Sequence, residues 1–187
     1  MLRYRVFPHL AAAADAEPGH PHYLHRPQGR GRLDNPRHYD CWYVSAEAAG
    51  AVGEVFADLS TWNDKMLEMP ALPGSRRALG IYEVRDDLPV LDLDDARPLL
   101  DRGLRPTQVI ARNRPVTQGW ALAIFRETDA RGGRLWDGVR WWSYHRPQWR
   151  IYGLWSETAP RCVRVEALDL NHPAVADAAS ALAKVRS

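Results

Sequence analysis

Residues 32–56 read RLDNPRHYDCWYVSAEAAGAVGEVF, a charged turn, a short aromatic strand, and then a helix in which two glycines precede a glutamate. The run Trp42-Tyr43-Val44 is aromatic and β-branched, which predicts a strand. Ser45 is placed as an N-cap, and Ala48, Ala51, Val52, Val55, Phe56 and Leu59 then recur at helical spacing. At 100° per residue Glu54 falls off that apolar stripe, on the flank shared with Gly50 and Gly53. Each glycine inside a helix costs about 1 kcal/mol relative to alanine. That cost predicts a close approach of another backbone or a ligand to the bare flank beside Glu54.

Working outward, RYRVF (3–7) predicts a first strand, and residues 11–31, with alanines, prolines and QGRGR, predict an irregular loop. ALGIYEV (78–84), PVLDL (89–93) and TQVIA (107–111) read as strands, with DDARPLLDRG a short helix between the last two. Pro115 opens a helix whose Trp120, Ala121, Ile124 and Phe125 share a face. Strands are expected at 138–143, 149–155 and 162–168, and Pro173 opens a terminal helix on Val175, Ala179, Leu182 and Val185. Strands and helices mix without regular βαβ alternation or internal repeats, so the expected class is α+β, one domain over 1–187. The eight tryptophans read as core and sheet packing rather than a platform for stacking bases.

A chain of 187 residues, 45% hydrophobic, is long enough for one sizeable core. Formal net charge is only +2, and lysine occurs at positions 65 and 184 alone, so the basic side chains are almost all arginine, the better fork for phosphates and carboxylates. No basic tail or stripe marks a nucleic-acid surface. No apolar run is long enough to cross a membrane and no secretory leader is visible, so a soluble, cytoplasmic chain is expected, with Cys41 and Cys162 reduced. The histidines at 20, 22 and 25, flanked by Pro18, Pro21 and Pro27, read as loop residues and no metal site is expected.

Arg32, Tyr43 and Glu54 are spaced eleven residues apart, so turn, strand and helix can fold the three side chains toward one cleft, and Ser143 ends a predicted strand in WDGVRWWS. Together with YRV at the start, GRGRLDNP around the arginine and YVSAEAAGAVGEVF up to the glutamate, this ordered set resembles the RES domain, a toxin family. The motifs that carry the resemblance span about residues 3–155, and the strand and helix of 162–186 complete a single RES-like domain over 1–187. It implies a mixed sheet with flanking helices similar to the ADP-ribosyltransferase fold. It also implies hydrolysis or phosphorolysis of the nicotinamide–ribose bond of NAD, as a substrate with no bound cofactor, and a partner antitoxin carrying a helix-turn-helix domain. Position by position, the family's arginine, tyrosine, glutamate and serine fall on Arg32, Tyr43, Glu54 and Ser143, with Arg5 as a further arginine. LDNPRHYD stands where many members carry a glycine turn, so the resemblance does not specify the shape of the pocket mouth.

That chemistry suits those residue types. Nicotinamide is cationic in NAD and departs neutral, so no acid is required and one carboxylate can serve, in contrast to an ordinary glycoside. Glu54 is the expected anion beside the oxocarbenium-like ribose. Arg32 is expected to grip the diphosphate bidentately, Tyr43 to stack on the nicotinamide ring or bond its ribose, and Ser143 to hold a ribose hydroxyl or the carboxamide. Two other functions remain open at this point: transfer of ADP-ribose to a protein or other acceptor, and a catalytically silent protein that binds a partner.

Overall fold

The computed structural model describes residues 1–187, apart from the side chain of Ser156. Seven strands form one mixed sheet. They are β1 (Leu2–His9), β2 (Cys41–Ser45), β3 (Arg76–Glu83), β4 (Val90–Asp92), β5 (Gly138–Trp142), β6 (Arg150–Trp155) and β7 (Arg161–Ala167). Their spatial order is β4-β5-β6-β2-β1-β3-β7, parallel between β4 and β5 and antiparallel elsewhere. Five helices flank it: α1 (Ala48–Phe56), α2 (Ala96–Asp101), α3 (Pro106–Val109), α4 (Arg114–Phe125) and α5 (Pro173–Ala181). The class is α+β, as the mixed order of elements predicts.

Burial divides into three apolar clusters. Helices α2 to α4 cover the β4-β5-β6-β2 part of the sheet, with Leu93, Val109, Ala121, Val139 and Trp155 at its centre. Helices α1 and α5 pack on the β1-β3 part through Val52, Phe56, Leu79, Val175 and Ala178. A third cluster gathers Trp42, Val44, Tyr82, Val84 and Leu154. The tryptophans at 42, 62, 120, 141, 149 and 155 are all buried, which matches their expected packing role.

The segment 107–111 corrects the expected strand: Pro106–Val109 is a helical turn. Pro106 supplies a helical φ at the first position, and the Gln108 side chain accepts from the Arg105 amide at 2.8 Å, closing the turn. Val109 is then buried on a helix rather than on a strand. Ser45 is also not the cap of α1. It is the last residue of β2, and Glu47 occupies the N-cap position. The terminal helix stops at Ala181, because Ala183 adopts φ 51°, so Val185 lies beyond it and is exposed.

The feature that positions the site is a split in the sheet. β2 pairs with β6 along its whole length, yet it meets β1 at one register pair, Tyr4 with Ser45. β1 instead pairs with β3 over eight residues. Past the Tyr4–Ser45 contact β1 and β2 diverge, and a cavity of about 290 Å³ opens between Arg5 and Val6 on one side and Tyr43 and Val44 on the other.

Candidate active site

Arg5, Arg32, Tyr43 and Glu54 all line that cavity. Glu54 projects from α1 and is exposed, while Gly50 and Gly53 on the same helix are buried. The bare helix surface is covered by the side chain of Trp149 rather than by another backbone. A Cβ on Gly53 would collide with the six-membered ring of Trp149, and one on Gly50 would meet Ser45 Oγ and the Trp149 side chain. The expected apolar stripe is corrected in the same way: Val55 and Leu59 are exposed, and the core face runs through Ala51, Val52 and Phe56.

Ser143 does not reach the cavity. It follows β5, has no exposed surface, and donates from Oγ to Glu54 Oε1 at 2.5 Å. The same oxygen accepts the backbone amides of His145 at 3.0 Å and Arg146 at 3.4 Å. These two donors orient the hydroxyl proton toward the carboxylate. Ser143 therefore contacts the Glu54 carboxylate rather than the cavity itself.

Tyr43 is committed similarly. Its hydroxyl donates to Asp34 Oδ1 at 2.6 Å and accepts the Leu33 amide at 2.8 Å, and its ring meets Trp141 edge-on with centroids 6.4 Å apart. Asp34 is buried and also accepts the Gly31 amide at 2.6 Å. Burial, followed by the negative charges of its surroundings, raises the Tyr43 phenol well above its ordinary value, so it stays a neutral donor. The phenol thus ties down the 31–34 turn that carries Arg32. Gly31 is required there, since a Cβ would run into the Asp34 carboxylate and the Tyr43 hydroxyl.

Arg32 makes two hydrogen bonds, both from Nη1, to the carbonyls of Val109 at 2.7 Å and Ala111 at 2.8 Å. Those carbonyls come from the α3 turn and the residues after it, so the corrected helix anchors the guanidinium. Burial first, and the nearby Arg114 second, lower its pKa from the ordinary arginine value, while Glu54 acts in the opposite sense. Arg5 sits with its guanidinium carbon 4.9 Å from the centre of the Trp42 ring and donates to the Tyr23 carbonyl at 3.4 Å. Desolvation lowers its pKa as well.

Asp34 and Arg114 are the site residues that sequence reasoning missed. Arg114, at the start of α4, lines the cavity beside Arg32. The Asp34 signal was present in the departure LDNPRHYD, read only as a loss of the usual turn. In the loop 11–31, Asp15, His20 and His22 bring one ligand atom each within 4.8 Å of the others. His22 Nε2 already accepts the Cys162 amide at 3.0 Å, so this cluster pins the loop to β7.

The cavity at the split in the sheet is thus lined by one carboxylate, Glu54, and by the arginines Arg5, Arg32 and Arg114. The sequence matches the RES domain over residues 3–177, and the chain belongs to the RES domain family. The match extends past the motif-bearing region to include β7 and half of the terminal helix. The fold is similar to that of a chain in the crystal structure of the M. tuberculosis MbcT–MbcA toxin–antitoxin complex, with a TM-score of 0.54 at 14% identity, covering 98% of this chain and 89% of the other. No curated protein matches the chain in sequence. No helix is long and apolar enough to cross a membrane.

Proposed function

We propose that this chain consumes NAD by cleaving the nicotinamide–ribose bond, and that it is the toxin of a toxin–antitoxin pair. The observation that carries the reading is Glu54: an exposed carboxylate fixed from behind by Ser143, facing a cavity whose other walls hold Arg5 and Arg32. A cavity of about 290 Å³ is at the low end for a small-molecule site, so it takes the nicotinamide riboside end of the dinucleotide and leaves the adenosine at the mouth.

In the reaction, the bond from ribose C1′ to the nicotinamide nitrogen breaks with both electrons going to the ring, which leaves neutral. Positive charge spreads over C1′ and the ring oxygen of the ribose. The Glu54 carboxylate stabilises that charge in place, without reorganising, because the Ser143 hydroxyl already holds it. An oxygen of water or of phosphate then bonds to C1′, and where water is the acceptor its released proton passes to the surrounding solvent. The Tyr43 hydroxyl is occupied, so its contribution is the face of its ring and the anchoring of Arg32. The partner that silences the toxin is proposed to be an antitoxin with a helix-turn-helix domain, on the strength of family membership and of the complex in which the similar fold occurs.

The experiment is to incubate the purified protein with NAD, with and without phosphate, and identify products by mass spectrometry. Free nicotinamide with ADP-ribose signifies hydrolysis, and ADP-ribose carrying a new phosphate on C1′ signifies phosphorolysis. Absence of nicotinamide release under both conditions overturns the reading.

A further inference from the structure

We propose that Arg146 is a positioning residue for Glu54: it ties the turn that carries Ser143 to the end of α5 and so fixes the serine hydroxyl against the carboxylate. Residues 143–149 connect β5 to β6. The turn is closed internally, the Ser143 amide donating to the Trp149 carbonyl at 2.9 Å and the Trp149 amide to the Arg146 carbonyl at 3.0 Å. Two of its side chains hold it to the helical layer. Trp149 lies on the glycine flank of α1, and Arg146 donates from Nη1 at 3.0 Å to the carbonyl of Ala181, the last residue of α5. The Arg146 guanidinium carbon also stands 5.9 Å from the centre of the Trp149 ring, at the limit of a cation–π contact.

An arginine suits that carbonyl. The closing bonds of α5 use the carbonyls of Ala178, Ala179 and Ser180, which accept the amides of Leu182, Lys184 and Ala183. The last carbonyls of a helix lack partners within it, and a cation at that end meets the negative pole of the helix. The end of α5 is in turn fixed to α1. The two helices share the core of Val52, Phe56, Val175 and Ala178, and Lys184 donates from Nζ to the Leu59 carbonyl, just after α1, at 2.7 Å. Ser143 thus reaches Glu54 from a turn whose place relative to α1 is set by one apolar contact and one directional hydrogen bond. An apolar contact tolerates sliding, whereas a hydrogen bond does not. The carboxylate belongs to an exposed side chain with several rotamers open to it, and a displaced donor leaves it free to swing away from the developing charge. Arg146 is half-buried and outside the cavity wall, so its effect on the reaction passes through Ser143.

The role rests on the reading of Glu54 as the anion beside the ribose, and one arm of the experiment is free of NAD. Arg146→Met removes the donor and the charge at similar length, and Arg146→Gln takes its place if the methionine variant does not fold. Arg146→Lys restores a charged donor, and circular dichroism checks the folding of each. Arg146→Met is expected to lower kcat for nicotinamide release several-fold, by no more than the about tenfold loss expected of Ser143→Ala, with KM unchanged. Arg146→Lys should recover part of the rate. In the Ser143→Ala background Arg146→Met should have no further effect on kcat, because the donor it places is gone. A loss that multiplies in full across the double variant marks general destabilisation and overturns the role, as does a folded Arg146→Met with wild-type kcat. Without NAD, the carbon-13 signal of the Glu54 carboxyl at constant pH is expected to move in Arg146→Met in the same direction as in Ser143→Ala. A signal at the wild-type position in a folded Arg146→Met overturns the role whatever the activity. A wild type that releases no nicotinamide removes the proposed reaction instead, and the carboxyl signal alone then decides for or against Arg146.

Discussion

The Ser143 hydroxyl lies 2.5 Å from Glu54 Oε1, joining two residues 89 positions apart while itself excluded from solvent. The serine is thus a fixed donor to the carboxylate that lines the cleft. Ser143→Ala is expected to lower kcat by about tenfold with little change in KM, the scale of one hydrogen bond to a charged group. Glu54→Gln keeps the shape and removes the anion, with an expected loss of about 10²- to 10³-fold. Steady-state kinetics on both variants, ranked in that order, test the arrangement. If Ser143→Ala is the more damaging, the serine meets the substrate directly.

Ser143→Ala should also cost stability, since the amides of His145 and Arg146 lose their shared acceptor. A buried donor left without a partner costs about 1–3 kcal/mol.

Tyr43→Phe is expected to raise KM for NAD more than it lowers kcat. The phenol reaches the substrate only through its ring, but its hydroxyl holds Asp34 and the Leu33 amide, which set the turn bearing Arg32. Asp34→Asn should produce the same pattern, because the Gly31 amide and the Tyr43 hydroxyl both use that carboxylate. A change confined to kcat in both variants would place Tyr43 at the reacting bond.

Arg32→Lys preserves the charge but removes the planar fork. In this site it also disturbs the nitrogen that bridges the Val109 and Ala111 carbonyls. NAD affinity by calorimetry should weaken, and equal affinity in the two proteins would exclude a bidentate role for Arg32.

Burial, the largest cause in each case, raises the phenols of Tyr39, Tyr43 and Tyr82. In the unfolded chain they ionise near pH 10. An acid whose folded pKa is raised contributes stability that is fully present below its unfolded pKa and is lost as pH rises above it. Melting temperature is therefore expected to hold up to about pH 9 and fall beyond about pH 10. Tyr82→Phe should flatten that fall relative to its own value at pH 8. An equally steep fall in the variant would remove Tyr82 from the account.

Much of the fold was legible because the patterns are local. The alternation of β1, the aromatic run of β2 and the helical spacing in α4 each belong to one short window of sequence. TQVIA misled because its β-branched residues suggest a strand, while the decision was taken by Pro106 and by the Gln108 side chain turning back on Arg105. Arg32, Tyr43, Glu54 and Ser143 were nameable from their order, their spacing and the family resemblance, but their contacts were not. The Tyr43–Asp34 bond depends on how the turn before β2 folds back on the strand, and the Ser143–Glu54 bond joins α1 to the residue after β5, 89 positions away. Arg114 carries no local signal at all, since its importance lies in sharing a wall with Arg32.

The glycines of α1 give the last prediction. Alanine is the better helix former by about 1 kcal/mol, so on propensity alone Gly53→Ala should stabilise the protein. The position is buried against the Trp149 ring, however, and a methyl group there must displace the indole. Overpacking of this kind costs about 1–3 kcal/mol, which outweighs the propensity gain. The effect should then travel to the site, because the Trp149 carbonyl accepts the Ser143 amide at 2.9 Å. A shifted Trp149 moves Ser143, and Ser143 is the donor that fixes Glu54. Gly53→Ala is accordingly expected to lower both the melting temperature and the turnover of NAD. Trimming the indole in the double variant Gly53→Ala/Trp149→Leu makes room for the methyl group, so the two changes should cost less together than the sum of their separate effects. Thermal melts and kinetics on the two single variants and the double variant decide the matter: a Gly53→Ala protein that melts higher and turns over normally would show that the helix does not couple to the carboxylate through Trp149.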